Sequence, residues 1–136
     1  MAVKLSSSAR ALVNGRNAGI LGTLNPDGSP QTSVVWVGED GDDLVISSAA
    51  GRRKVLNLER DPRASLTIVD MADMERYIEV RGTATVAEDQ GRALAFALGE
   101  KYAGPGGGQE FLDLPPEVVR VVIRLTPHKV VGNAAT

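Results

Sequence analysis

The chain has no cysteine, a single histidine and few aromatic side chains: one tryptophan, two tyrosines and two phenylalanines in 136 residues. The missing cysteine excludes disulfides, zinc–thiolate centres and thiol nucleophiles together, and one histidine excludes a multi-histidine metal site. Positive charge is not in excess either. Seventeen acidic residues stand against 15 basic ones, for a net charge of −2 spread along the chain. Binding to a phosphate backbone needs clustered cations, so the balance argues against a nucleic-acid protein. There is no apolar run approaching the roughly 18 residues of a membrane span. Residues 1–6 lack the apolar core of a secretory signal, so a reducing cytoplasmic location is expected. The length predicts one domain, 1–136, that buries roughly two-thirds of its unfolded surface. That is enough for a core but little for a deep private pocket, which points to a partner subunit.

What is present reads as strands with short helices between them. Ser6, Ser7 and Ser8 are N-cap candidates for a helix to about Asn17, with Ala9, Leu12 and Val13 on one face as a lid or plug. An apolar strand at 18–24, a turn at 25–30 and a strand at 31–37 predict a hairpin, and a turn at 38–42 leads to a third strand at 43–48, as in a meander. A helix is expected at 52–60, with Val55 and Leu58 on its apolar face and Arg53, Asn57 and Arg60 elsewhere, and Pro62 stops it. A fourth strand follows at 63–70 and a long fifth at 75–87. There Ile78, Val80, Gly82, Ala84 and Val86 alternate with polar positions, and Gly82 predicts a bulge. Asp89 is expected to cap a helix at 90–102. The glycine-rich stretch 103–109 reads as a flexible loop, either a mobile cover or a connector, and a last strand at 118–125 faces Val119, Val121, Ile123 and Leu125 inward. Six mostly antiparallel strands predict a small closed or split β-barrel, a mainly β fold with short helices.

Chemistry concentrates in one segment. Ser47 and Ser48 end a strand, Gly51 turns the chain, and Arg52, Arg53 and Lys54 open a helix. Free amides, the helix dipole, hydroxyls and cations together suit one phosphate, and the other reading is a solvated basic face with Gly51 as an ordinary turn residue. A phosphorylated cofactor would lay its ring along the second strand, where Gln31, Ser33 and Val35 alternate with Thr32, Val34 and Trp36. Trp36 either lines that ring pocket or fills the core or a subunit interface.

The segments 18–24 and 27–31, with Gly51-Arg52-Arg53-Lys54-Val55-Leu56-Asn57-Leu58-Glu59-Arg60-Asp61-Pro62-Arg63, resemble the pyridoxamine 5′-phosphate oxidase-like split-barrel superfamily. Within it the chain is most similar to actinobacterial flavin/deazaflavin oxidoreductases that use coenzyme F420, over about residues 10–132. The resemblance implies a six-stranded antiparallel split β-barrel of the FMN-binding-protein kind and a homodimer with its cofactor sites at the interface. It implies hydride transfer between reduced deazaflavin and a small organic electrophile such as an enone or quinone. The alternatives are an FMN-dependent oxidoreductase and a non-catalytic flavin-, deazaflavin- or tetrapyrrole-binding protein. By position, Arg52 and Lys54 would hold the cofactor phosphate, with Gly51, Arg53, Ser47 and Ser48 at the same site. Gln31 and Ser33 would lie at the polar edge of the ring and Trp36 on the substrate side. Asn57 is read as fixing the helix against the loop. Tyr77 and residues 127–130, with His128, would reach the second subunit's site, Tyr77 as a proton-donor candidate. Arg10, Arg16, Arg53 and Lys101 are candidates for a polyglutamate tail. Residues 131–136 carry no basic substrate-phosphate group, which argues against vitamin B6 oxidation. No metal ligand is assigned, and a small-molecule substrate is the remaining partner.

Overall fold

The computed structural model describes residues 1–136. Seven strands form one antiparallel sheet: β1 (Gly19–Leu24), β2 (Pro30–Val35), β3 (Val37–Asp40), β4 (Asp43–Ala49), β5 (Arg63–Val69), β6 (Tyr77–Glu88) and β7 (Arg120–Val131). Their spatial order is β2-β1-β5-β6-β7-β4-β3. The two end strands, β2 and β3, are joined in sequence by the single residue Trp36. One residue spans about 3.8 Å, so the sheet has to curl until its ends meet. That is the split barrel, and its seventh strand is the element that sequence periodicity hid. Residues 38–40 read as a turn because they are Gly-Glu-Asp, yet Val37 is fully buried and pairs with Ile46. The expected meander is therefore two separate hairpins, β1–β2 and β3–β4, at opposite ends of the sheet.

The barrel is filled by Leu21, Leu44, Ile46, Leu66, Ile68, Ile78, Val80, Ile123 and Leu125, none with any exposure. Helix α1 (Ser7–Asn14) plugs it with Ala9, Leu12 and Val13, and the Ser6 hydroxyl caps the helix by accepting from the Ala9 amide at 3.1 Å. Helix α2 (Arg53–Arg60) packs Val55 and Leu58 inward. In β6 the inward positions Ile78, Val80 and Ala84 are buried while Tyr77, Arg81 and Thr83 are exposed. The register against β7 shifts between Arg81 and Gly82. A Cβ on Gly82 would lie 1.9 Å from the Thr126 carbonyl oxygen, so only glycine fits that bulge.

Strand β7 corrects the expected 118–125. It starts later, leaving Val119 44% exposed outside the barrel, and it runs on through Pro127, which sits opposite Gly82 where the ladder is already broken. Helix α3 (Ala93–Ala103) starts three residues later than expected, after a 3₁₀ turn at Gln90–Arg92. Asp89 still caps it, its carboxylate accepting from the Leu94 and Ala95 amides at 3.0 and 2.9 Å. A short helix α4 (Gln109–Leu112) follows. The glycine run before it is not a loose loop: the Glu100 carboxylate accepts from the Gly106 and Gly108 amides at 3.2 and 2.7 Å. A Cβ on Gly108 would lie 2.3 Å from the Phe96 carbonyl oxygen, so the run packs directly on α3.

Candidate functional site

Strand β4 alternates: Leu44, Ile46 and Ser48 face the core, and Val45, Ser47 and Ala49 the other side. Ser47 and Ser48 therefore point in opposite directions. Ser48 is buried and its hydroxyl donates to the Ala49 carbonyl, whereas Ser47 lines a cavity under α3 and α4. Gly51 turns the chain with φ +83°, in the left-handed region where glycine costs least. Arg52 is then the extended N-cap of α2 and makes no side-chain capping bond.

Lys54 is only 6% exposed; its ammonium makes no hydrogen bond and no ion pair, and is not itself fully enclosed. Burial, then the fields of Arg52 and Arg120, hold its pKa below the ordinary lysine value. Arg120 comes to the same cavity from the start of β7. Its Nη2 donates to Ser47 Oγ at 2.8 Å, while its Nε–H is buried with no acceptor. Burial lowers its pKa, Asp89 opposes this, and Arg52 and Arg92 add to it.

Trp36 and Phe111 wall the rest of the cavity with Val34, Val35 and Ala95. Trp36 stacks on Tyr102 with ring centroids 5.2 Å apart and meets the edge of Phe111 at 6.3 Å. Phe111 also lies 5.1 Å from the Arg120 guanidinium. Tyr102 is fixed by accepting from the Val37 amide at 3.1 Å and donating to the Asn17 carbonyl at 2.9 Å. The cavity, about 170 Å³, is lined by Val34, Trp36, Ser47, Lys54, Phe111 and Arg120 among others. It is smaller than the few hundred Å³ of a site that encloses a whole cofactor. It is ample for a phosphate.

The other sequence-predicted positions lie elsewhere or are otherwise engaged. Arg52 and Arg53 are exposed and do not line the cavity, although the field of Arg52 reaches Lys54 and Arg120. Gln31 accepts from Thr23 Oγ1 at 2.7 Å, and the Ser33 hydroxyl is buried without a partner. Asn57, read as lying off the apolar face of its helix, has no exposure at all. Its amide donates to Thr23 Oγ1 and Asn25 Oδ1 at 3.0 Å each, which ties α2 to the β1–β2 loop. His128 is exposed, with Nε2 3.2 Å from Thr83 Oγ1. It stands eight positions beyond Arg120 on β7, roughly 25 Å of strand away. Tyr77 opens β6 near the C-terminal residues, its amide donating to Asn133 Oδ1 at 2.9 Å. Neither belongs to the cavity of its own chain.

Two of the four polyglutamate-tail candidates are engaged within the fold. Arg10 pairs with Glu39 and Asp42 at 2.9 and 3.0 Å. Lys101 donates to the Val13 and Val37 carbonyls at 2.6 Å each, and burial brings its pKa down to about 8 against the field of Glu39. Arg16 and Arg53 stay exposed with no ion pair. No group of three histidine, cysteine, aspartate or glutamate side chains is placed to hold a metal, and no helix is long and apolar enough to cross a membrane.

Sequence reasoning missed Arg120, Phe111 and Tyr102. Arg120 is 73 residues from Ser47 and Tyr102 is 65 from Val37, and no local pattern marks them.

The sequence model of the pyridoxamine 5′-phosphate oxidase family matches residues 5–133. Curated relatives from two strains of Rhodopseudomonas palustris, each described as a pyridoxine/pyridoxamine 5′-phosphate oxidase, are 27% identical over 134 residues. These cover 95% of this chain and 63% of theirs. The chain thus spans less than two-thirds of the length of the curated relatives it matches. Among solved structures, an F420 reductase is 26% identical with a TM-score of 0.76, covering 93% of this chain and 98% of that one. A conserved hypothetical protein from Mycobacterium tuberculosis shares the fold at 23% identity, with a TM-score of 0.77 over 96% of this chain and 85% of that one.

Proposed function

This chain belongs to the pyridoxamine 5′-phosphate oxidase family, and on that footing we propose that it is an oxidoreductase working with reduced coenzyme F420. It passes a hydride between the deazaflavin and a small organic electrophile such as an enone or quinone. One observation carries the reading: Lys54, largely buried, brings an ammonium with no partner from its own chain to a cavity also lined by Trp36 and Phe111. An uncompensated buried cation costs stability, and a perturbed charge in a cleft is a mark of a binding site. The likeness to an F420 reductase along nearly all of that chain favours the deazaflavin.

The residues fit a phosphorylated cofactor. Lys54 and Arg52 hold its phosphate, Gly51 lets the chain turn into the helix that carries them, and Ser47 offers a hydroxyl beside them. Ser33 brings an unpartnered hydroxyl to the polar edge of the ring, with Gln31 beside it on β2. Trp36, held by Tyr102, flanks the substrate side and keeps water out. When bound, the cofactor supplies the hydride chemistry, so the protein's share is binding, orientation and a dry cleft.

A cleft of about 170 Å³ leaves the ring to be covered by a second copy, so the working form is a homodimer in the cytoplasm. The outer face of β2, β1 and β5 suits that contact: Val34 is 72% exposed, and Gly22 is paired with Thr32 on one side and Ser65 on the other, giving a flat surface. Tyr77 and His128, remote from their own cavity, serve the partner's site in this arrangement.

FMN is the second reading, because Lys54, Arg52 and Arg120 bring more positive charge than one phosphodiester carries, while a phosphate monoester holds about −1.5 to −2 near pH 7. Titration of the purified protein with both cofactors, followed by Trp36 emission, separates the two. F420 binding with turnover of enones or quinones is the expected result. Binding of FMN alone would replace the first reading with the second, and tight binding without turnover on enones, quinones or biliverdin would favour a carrier.

A further inference from the structure

We propose that Arg120 is the second buried arm of the anion site and a determinant of its preference for phosphorylated ligands. Nε–H and Nη2–H form one edge of a guanidinium, the edge that meets two oxygens side by side. In Arg120 that edge is half used: Nη2 donates to Ser47 Oγ at 2.8 Å, and Nε–H is buried with no acceptor. Ser47 accepts this bond, which leaves its own O–H free to donate. Lys54, on α2, lines the same cavity and makes no hydrogen bond or ion pair, though its ammonium is not fully enclosed. Three donors without partners, the Arg120 Nε–H, the Ser47 O–H and the Lys54 ammonium, thus belong to residues lining one cavity. A buried donor such as the Arg120 Nε–H is rarely left unpaired, and with a hydroxyl and an ammonium lining the same cavity it calls for a ligand with several acceptor oxygens and negative charge, which a phosphate ester has.

The surroundings leave Arg120 available. Asp89, the acidic group whose field acts on Arg120, spends both carboxylate oxygens on the α3 amides. Arg92, the other arginine at this end, is fully committed, with Nη1 and Nη2 donating to the carbonyls of Phe111, Leu114, Pro115 and Val118 at 2.6–3.1 Å. Those bonds fix the segment that carries Phe111, whose ring lies 5.1 Å from the Arg120 guanidinium and meets Trp36 edge-on. Arg120 is therefore held in place by Ser47 and Phe111, and any change in its position is felt at the only tryptophan.

The inference rests on the cofactor reading only for the identity of the ligand, and the test separates the two. FMN, F420, riboflavin and inorganic phosphate are titrated into wild-type, Arg120→Gln and Arg120→Lys protein, with binding followed by Trp36 emission and the fold checked by thermal melting. Arg120→Gln should weaken whichever of F420 and FMN the wild type binds by about 10- to 100-fold, the worth of a lost charge-assisted pair, and leave riboflavin unchanged. Arg120→Lys should recover part of the loss. Unchanged affinity of Arg120→Gln for the phosphorylated cofactor, or an equal fall for that cofactor and riboflavin, would overturn the role. If the wild type binds neither FMN nor F420 but inorganic phosphate still shifts its emission, and Arg120→Gln abolishes that shift, Arg120 stands and the cofactor reading falls.

Discussion

Lys54 and Asn57 stand one turn apart on α2, and both are buried, yet the chain treats them differently. Asn57 is surrounded by partners: its amide donates to Thr23 Oγ1 and Asn25 Oδ1, and its carbonyl oxygen accepts from Arg60, which also holds the Leu24 carbonyl. Lys54 has none. A buried polar group satisfied by its own chain holds the fold together, and one left unsatisfied at the wall of a cavity is there for a ligand. The same contrast separates Ser48, bonded to its own strand on the core side, from Ser47, which lines the cavity.

The largest expected effect comes from removing the unpaired side of this contrast. Arg52→Ala combined with Lys54→Met should weaken cofactor binding on the order of a thousandfold, from two charge-assisted contacts, as read by calorimetry. The secondary structure should be unchanged. Asn57→Ala should do the reverse: it should cost about 2–3 kcal/mol in denaturant unfolding, because Thr23 and Asn25 lose their buried partner, and it should change cofactor affinity little once folded protein is counted. If Asn57→Ala impairs binding while sparing stability, the division between the two residues breaks.

A smaller effect sharpens it. Lys54→Met should raise stability modestly near pH 7, by no more than about 1 kcal/mol, since it removes a largely buried charge without a partner. The pH dependence has a definite sign. The folded pKa of Lys54 lies below its unfolded value of about 10.5, so the unfolded chain binds its proton more tightly, and wild-type stability rises with pH between the two values. The advantage of Lys54→Met should therefore shrink as pH is raised from 7 towards 10. The smallest effect is expected on β4: Ser47→Ala should weaken phosphate binding roughly fivefold, the worth of one neutral hydrogen bond, and Ser48→Ala should not change it.

Much of the fold is legible in the sequence because it rests on local periodicity. Ala9, Leu12 and Val13 recur at helical spacing, β6 alternates along its length, and Gly82 marks a bulge where a Cβ has no room. The elements misread are those whose structure depends on distant pairing. Val37–Asp40 becomes a strand only because β4 lies alongside it, and β7 crosses Pro127 only because the Gly82 bulge faces it. The site divides in the same way. Lys54, Arg52, Ser47 and Trp36 lie in or beside a recognisable strand–turn–helix segment. Arg120, Phe111 and Tyr102 arrive from far along the chain, and nothing in their own neighbourhoods announces it. The Lys101 ammonium carries the same lesson: it looks free in the sequence, but two carbonyls hold it.

The central claim is that the Lys54 ammonium is unpaired in the free protein and acquires its partner from the cofactor phosphate. NMR titration of the Lys54 side chain, with and without saturating cofactor, tests it most directly. In the free protein its pKa should lie below 10.5, and on binding it should rise, because an adjacent anion favours the charged form. A Lys54 pKa that stays the same when cofactor is bound would contradict the claim.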